Sequence, residues 1–347
     1  MNQHDSSVDL VEDGKCSSEH DENNAAEGKA KWKKPFTIAF GCLVAVCVVT
    51  GIVVTIVLTP PGSSGHTSIN FPVSPSVLGT YQHAAVAADA GKCSEIGTQV
   101  MKDGGSAVDG ALAATICTGA INMHNSGIGG GFFMTIWDNE NQIGHVVNAR
   151  EMAPHYASRD MFEKNISSVL GPYAIAVPGE IAGYWEAHQK FGKVSWKALF
   201  EPTIKLCNEG FPVSDVLSYA IGETVEDIAK MADQKPFQTL LKYMKNPATG
   251  DYYKAGETIK CQLFAKTLET IANNGGRDFY NGSLAKDILE DLKEIGSMMN
   301  STDLATYDAL WMQPIEVKHP EGFHMISTPP PGSGAILGFI LNILAVF

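Results

Sequence analysis

The chain has 347 residues, of which 44% are hydrophobic and 18% are charged, and this balance excludes a disordered, fibrous or coiled-coil protein. Its formal net charge is −13 and it contains only three arginines, Arg150, Arg159 and Arg277, so it offers no positive surface for a nucleic-acid backbone. We therefore expect a globular protein of about two units that does not bind nucleic acid.

The N-terminal part predicts a membrane anchor. Residues 1–28 carry eight acidic side chains and one lysine, so we expect residues 1–35 to be a disordered acidic tail with a basic flank. Phe36–Leu58 has 23 residues without a formal charge, about 35 Å as a helix, which crosses a bilayer core of about 30 Å. Four lysines precede it and predict a type II signal anchor over 36–58 with a cytoplasmic N-terminus. A cleaved signal peptide is the alternative, although its apolar region is normally shorter.

The chain after the anchor is predicted to be extracellular. Residues 59–76 are uncharged and rich in Pro, Gly and Ser, as expected of a stem, and the ectodomain then covers 77–347. The oxidising environment allows disulfides between four ectodomain cysteines, Cys93, Cys117, Cys207 and Cys261, in three possible pairings. Glycosylation is predicted at three Asn-x-Ser/Thr sites, Asn165, Asn281 and Asn300.

Helical and extended patterns alternate along the ectodomain, which predicts a mixed α and β fold. Helices are expected over Ser94–Lys102, Ala107–Ile121, Glu180–Phe191 and Trp196–Asn208, the last capped by Ser195, and in two amphipathic segments, Phe264–Ile271 and Leu284–Ile295, the latter capped by Ser283. Strands are expected over Phe132–Trp137, His145–Asn148, Tyr173–Val177, Ile315–Lys318 and Gly322–Ser327. Ala335–Phe347 is apolar but too short to span a membrane, and we expect the natural chain to continue beyond it.

Common catalytic and metal-binding motifs are absent from the sequence. It contains no HExxH, GxSxG, GxxxxGK[ST] or CxxC pattern. The sequence therefore has no motif of a zinc peptidase, an α/β-hydrolase, a P-loop protein or a zinc cluster. The glycine cluster Gly127–Gly131 does not fit a dinucleotide loop, because the third glycine of that motif would fall on Phe132. The cluster predicts either a close backbone approach to a ligand or a tight turn into a buried strand.

Two side chains near this cluster are candidates for a site. Arg150 follows a predicted strand, at the end of the segment GHVVNAR, and its planar guanidinium could hold an amino-acid α-carboxylate with two parallel hydrogen bonds. The alternative is a structural ion pair with Glu151 or Glu180. His124 could contribute to a site, but a histidine with a structural role is the more common case.

Six segments together resemble one family, the γ-glutamyltransferases, also called glutathione hydrolases. They are AAVAADAGKCSEIGTQVMKDGGSAVDGALAA (84–114), NSGIGGGFFMTI (125–136), VVNAREMAP (146–154), AVPGEIAGYWEAHQKFGKVSW (176–196), GRDFYNGSLAKDI (276–288) and STPPPGSGAILGFILNIL (327–344). They follow the order of the family's large subunit.

The resemblance implies an α+β fold of the N-terminal-nucleophile hydrolase type, a four-layer αββα sandwich that would be incomplete here. It assigns Arg150 to the α-carboxylate of the γ-glutamyl substrate, pairs Cys93 with Cys117, and places Asn281 at a glycosylation site shared with mammalian members. It implies no metal and no cofactor. The type II anchor also matches mammalian members and implies an ectoenzyme of the plasma membrane.

The resemblance further implies a precursor that cuts itself into a large and a small subunit. A threonine freed at the start of the small subunit attacks glutathione, its conjugates or other γ-glutamyl peptides, and the resulting γ-glutamyl ester passes to water or an amino acid. That threonine lies downstream of position 347 in the family, so we expect no catalytic residue in this chain and no activity from it alone. The alternative is a non-catalytic, membrane-anchored binding or partner module.

Overall fold

The computed structural model describes residues 79–163, 166–229, 235–319 and 322–345. The chain divides into two units, Met1–Leu78 and Gly79–Phe347, and all described residues belong to the second. The predicted tail, membrane helix and stem lie outside the described residues. Within the described ranges, no helix combines the length and the apolar composition needed to cross a membrane.

Helices dominate the described unit. The helices are α1 Gly91–Lys102, α2 Ala107–Ile121, α3 Glu180–Phe191, α4 Trp196–Glu209, α5 Asp215–Ile228, α6 Lys235–Tyr243, α7 Gln262–Asn274, α8 Asp278–Asn281, α9 Ser283–Glu294, α10 Ser301–Ala305 and α11 Gly334–Leu344. The strands are β1 Phe132–Asp138, β2 Ile143–Ala149, β3 Phe211–Pro212, β4 Thr258–Ile259, β5 Leu310–Met312, β6 Ile315–Lys318 and β7 His324–Ser327. Helices and strands are therefore mixed along the chain, as the sequence predicted.

The helical core forms around α2, which packs against α1, α3 and α4. Ser106 and Asp109 form a reciprocal capping box at the start of α2, with each side chain accepting a hydrogen bond from the other residue's backbone N–H. Asp109 also accepts a hydrogen bond from the backbone N–H of Lys193 at 2.7 Å, so one carboxylate fixes a helix start and a distant loop. The structure joins Cys93 of α1 to Cys117 of α2 by a disulfide.

A three-stranded antiparallel sheet in the order β1-β2-β5 lies against these helices. The two longer strands pair along their full length, from Phe132 opposite Ala149 to Asp138 opposite Ile143. Alternate residues of β1 pack on the core, including Phe132 and Met134. Trp137, on the opposite face, is 44% exposed, so the described residues cover one face of β1 and leave much of the other open.

One predicted strand needs correction. Tyr173–Val177 is not a strand: Gly171 has a φ of 96° and Pro172–Ala174 forms a 3-10 helix, because proline fixes its own φ and donates no ladder hydrogen bond. Only Val177 makes an isolated bridge, to Met152.

The predicted helix caps are also different. Ser195 precedes α4, but its side chain makes no capping hydrogen bond. Ser283 does not cap α9, because the Asp278 carboxylate accepts hydrogen bonds from the backbone N–H groups of Ser283 and Leu284 at 3.2 Å each. A charged acceptor satisfies these N–H groups more strongly than a hydroxyl.

Candidate functional site

Four parts of the chain that are far apart in sequence meet at the end of β2. Gly131 precedes β1, and a Cβ atom there would lie 2.9 Å from both Arg150 Cα and Glu151 N. A Cβ atom at Gly179 would collide with the Ala149 carbonyl and the Tyr307 hydroxyl. Because any side chain at these two positions would displace backbone, glycine allows both loops to close around Arg150.

The backbone of Arg150 is held on both sides of its Cα atom. Its N–H donates to Asn148 Oδ1 at 3.0 Å, and its carbonyl accepts a hydrogen bond from the Tyr307 hydroxyl at 2.8 Å. Tyr307 is 2% exposed and its ring stacks on Tyr280, with centroids 5.6 Å apart. The position of this arginine is therefore fixed by packing and hydrogen bonds from distant parts of the chain.

The guanidinium of Arg150 lies partly in solvent, with 49% of the side chain exposed. Nη2 is 2.9 Å from Glu151 Oε2, and Nη1 donates to the Gly131 carbonyl at 3.3 Å. The ion pair with Glu151 that the sequence offered as an alternative is thus present, whereas Glu180 makes no ion pair with Arg150 among the described residues. The Arg150 guanidinium therefore makes structural contacts, and its exposed side can still donate hydrogen bonds to a bound carboxylate.

Glu180 is a buried carboxylate beside the glycine loop and is 6% exposed. Its side chain accepts hydrogen bonds from the Tyr184 hydroxyl at 3.2 Å and from Gly130 N at 3.4 Å. Burial raises its pKa above the ordinary value of 4.5, and the nearby charge of Glu151 raises it further, while both hydrogen bonds act in the opposite direction. The loop therefore lies next to a carboxyl group that is costly to ionise.

We expect Glu180→Gln to raise the melting temperature at pH 7 relative to the parent. The folded state favours protonated Glu180. The contribution of this protonated side chain to the free energy of unfolding is therefore complete below about pH 4.5 and is lost as pH rises through the raised pKa. Glutamine removes the buried charge and keeps an acceptor for Tyr184. Thermal melts from pH 4 to pH 8 should therefore show a difference that shrinks toward low pH. The exposed Glu201→Gln variant is the control, and a gap independent of pH would contradict the assignment.

The tyrosine hydroxyls around the site remain donors over the physiological range. Burial, with a smaller contribution from the charge of Glu151, raises the pKa of Tyr307 to about 12. Burial likewise raises the pKa of Tyr280 far above its ordinary value, and its hydroxyl donates to the Pro178 carbonyl at 2.9 Å. Both hydroxyls therefore position backbone rather than exchange protons.

We expect Tyr307→Phe to lower the free energy of unfolding by about 1 kcal/mol, because the Arg150 carbonyl loses a hydrogen bond inside the protein. Urea unfolding of the two proteins gives this difference. Tyr219→Phe serves as the control, since Tyr219 is 68% exposed and its hydroxyl faces water. Equal losses for the two variants would show that the Tyr307 contact contributes nothing.

Other predicted residues lie elsewhere. His124 lines a separate cavity of about 300 Å³ with Leu217, Ile221 and Cys261 among its neighbours, and neither ring nitrogen has a hydrogen-bond partner within the described structure.

Asn281 is exposed at the end of α8, whereas Asn300 caps α10 through its side-chain oxygen. Asn165 lies outside the described residues, so all three glycosylation sites stay predictions. Across the described ranges, no cluster of three or more His, Cys, Asp or Glu could hold a metal ion.

The sequence could not identify Tyr307 or the burial of Glu180. Tyr307 lies 157 positions from Arg150, and no local pattern marks it. Tyr280 and Glu180 do lie within the segments FYNGS and AVPGE. Their order in the chain pointed to a family, but their contacts emerge only from the fold.

Comparison with known proteins identifies the family to which the sequence is similar. The sequence model of the family described as gamma-glutamyltranspeptidase matches residues 93–347. The chain is 41% identical over 277 residues to scoloptoxin SSD14 from Scolopendra dehaani, covering 79% of this chain and 47% of that protein. It is 38% identical over 266 residues to glutathione hydrolase 3 from Arabidopsis thaliana, covering 76% and 40% respectively. The chain thus spans about half the length of these curated relatives.

The fold also resembles solved structures. The crystal structure of Helicobacter pylori gamma-glutamyltranspeptidase matches with a TM-score of 0.72 and 29% sequence identity, covering 78% of this chain and 77% of that one. The match includes most of the described residues, so the mixed α/β arrangement is common to the two proteins.

Proposed function

The chain belongs to the gamma-glutamyltranspeptidase family, and on that premise we propose that the complete protein transfers or hydrolyses the γ-glutamyl group of glutathione and its conjugates. The single observation that carries this proposal is the half-exposed guanidinium of Arg150, which lies beside the glycine loop in contact with Glu151 and Gly131 while Tyr307 holds the Arg150 carbonyl. An arginine held in this way suits the α-carboxylate of a γ-glutamyl donor.

The proposed reaction proceeds through an ester. A threonine hydroxyl of the small subunit attacks the γ-carbonyl carbon of glutathione, the amide bond breaks, and cysteinylglycine leaves with a proton on its new amine. Water or an amino acid then attacks the γ-glutamyl ester, which releases glutamate or a new γ-glutamyl peptide and restores the hydroxyl. In this scheme Arg150 orients the donor, and residues 1–347 alone are inactive.

We place the small subunit, made from the same precursor, against two apolar surfaces of this chain. The helix α11 exposes Ile336, Phe339 and Leu344, which are 62%, 68% and 62% exposed. Trp137 on the open face of β1 is the second surface. Covering both would remove water from large apolar side chains and would build the second sheet of an αββα sandwich.

We further propose a type II protein of the plasma membrane, with residues 36–58 in the lipid bilayer, a stem over 59–76 and an extracellular domain over 77–347. Three consensus glycosylation sites and the Cys93–Cys117 disulfide support an oxidising, exported location. Endoglycosidase treatment of surface-labelled protein should increase its gel mobility. An unchanged mobility would count against this topology.

The activity is tested with the full-length precursor expressed on cells that lack γ-glutamyl hydrolysis. We expect extracellular glutathione to be consumed, with glutamate and cysteinylglycine appearing in equal amounts when water is the acceptor. Cells that express residues 1–347 alone are the matched control and should consume none. If a cleaved, surface-exposed full-length protein leaves glutathione intact, the enzyme proposal fails and the non-catalytic partner module takes its place.

A further inference from the structure

Within the ranges that the structure describes, two cysteines lie outside the Cys93–Cys117 pair. Cys207 lies in the last turns of α4 and is buried, and Cys261 is the half-buried residue immediately before α7. The structure holds both as thiols. They are 54 positions apart in the sequence, but the side-by-side packing of α4 and α7 brings them together.

The backbone contact between the two cysteines limits their separation. Cys261 N donates a hydrogen bond to the Cys207 carbonyl at 3.0 Å. Standard bond lengths then keep the two Cα atoms within about 7 Å of each other, and disulfides usually join Cα atoms about 4.4–6.8 Å apart. The two positions are therefore close enough to be bridged with little movement of the backbone.

The side chains also share one environment. Cys207, Ala120 and Ala265 form a small buried cluster, and Cys261 packs against it. Burial, with a smaller contribution from the nearby Cys261, raises the pKa of Cys207 to about 12. Burial raises the pKa of Cys261 to about 11. Both thiols therefore stay protonated in the folded protein at neutral pH.

We propose that Cys207 and Cys261 are joined by a second disulfide in the exported protein, which links α4 to α7. Two S–H bonds break and one S–S bond forms. The two electrons and two protons pass to a disulfide of the thiol-oxidoreductase or glutathione class, which is reduced to two thiols. Because exchange requires a thiolate, the bond forms while the chain folds and afterwards resists reductants until the protein unfolds.

Peptide mapping of the full-length protein purified from the cell surface tests the bond directly. The protein is denatured without reductant, its free thiols are blocked with N-ethylmaleimide, and trypsin then releases Cys207 in residues 206–230 and Cys261 in residues 261–266. We expect one linked species whose mass is two hydrogens below the sum of the two peptides. Maleimide adducts on Cys207 and Cys261 overturn the proposal, whatever the state of Cys93 and Cys117.

Melting temperatures separate a covalent bond from simple packing. Closing a loop of 54 residues should raise the melting temperature by about 10 °C, so Cys207→Ala and Cys261→Ala should each lose an amount of this order. The double variant should lose no more than the larger single loss, because the bond is broken only once. Additive losses from the two substitutions would overturn the proposal.

Discussion

In the full-length protein, Arg150→Ala should raise the KM for glutathione by about ten-fold to a hundred-fold, which corresponds to a charge-assisted hydrogen bond of about 1.5–3 kcal/mol. The contact forms on substrate binding and persists in the transition state, so kcat should change much less than KM. Initial rates over a range of glutathione concentrations separate the two constants.

Two variants control this result. Arg150→Lys keeps the positive charge but loses the planar fork, so its KM should remain several-fold above that of the parent. Arg159→Ala removes an arginine whose side chain is 96% exposed, and its KM should match the parent value. A KM for Arg150→Ala within two-fold of the parent would mean that this arginine serves its ion pair with Glu151 and not the substrate.

Gly131→Ala should lower the free energy of unfolding by about 2–3 kcal/mol. The added methyl group would collide with the Ala149 carbonyl and lie 2.9 Å from Arg150 Cα. These are backbone atoms, so no side-chain rotation can relieve the contact. Urea unfolding at constant pH measures the loss.

The same glycine cluster provides the matched control. A Cβ atom at Gly129 meets no heavy atom within 4 Å, and alanine restricts the unfolded chain more than glycine does. Gly129→Ala should therefore leave stability unchanged or increase it by less than about 1 kcal/mol. If both alanine variants lose the same stability, close packing around Arg150 is not the reason for the glycine at 131.

The sequence predicted best those elements whose patterns are local. Ala107–Ile121 and Glu180–Phe191 have the predicted bounds, because a turn or breaker lies on each side of an apolar helical segment. The prediction did not include Asp215–Ile228, although Ser214 caps this helix through its side chain. The strand Leu310–Met312 was also not predicted, since its three residues form a strand only through pairing with β2.

The candidate site shows a similar division between local and long-range information. Arg150 could be chosen from the sequence because arginine is rare in this chain and follows a predicted strand. Its two possible roles could not be separated, because the ion pair with Glu151 and the exposure of the guanidinium depend on the folded loop. The Tyr307 contact and the burial of Glu180 involve segments far apart in the sequence, and such contacts leave no periodic pattern.

The central claim is tested most directly by comparing two donors on two proteins, the parent and Arg150→Ala. The donors are glutathione and its analogue with a γ-aminobutyryl group in place of γ-glutamyl, which keeps the scissile amide but lacks the α-carboxylate. For the parent protein, kcat/KM should fall by about ten-fold to a hundred-fold between these donors. For Arg150→Ala the two donors should differ little, because the partner of the carboxylate is gone. An equal fall in both proteins would contradict the assignment of Arg150 to the donor's α-carboxylate.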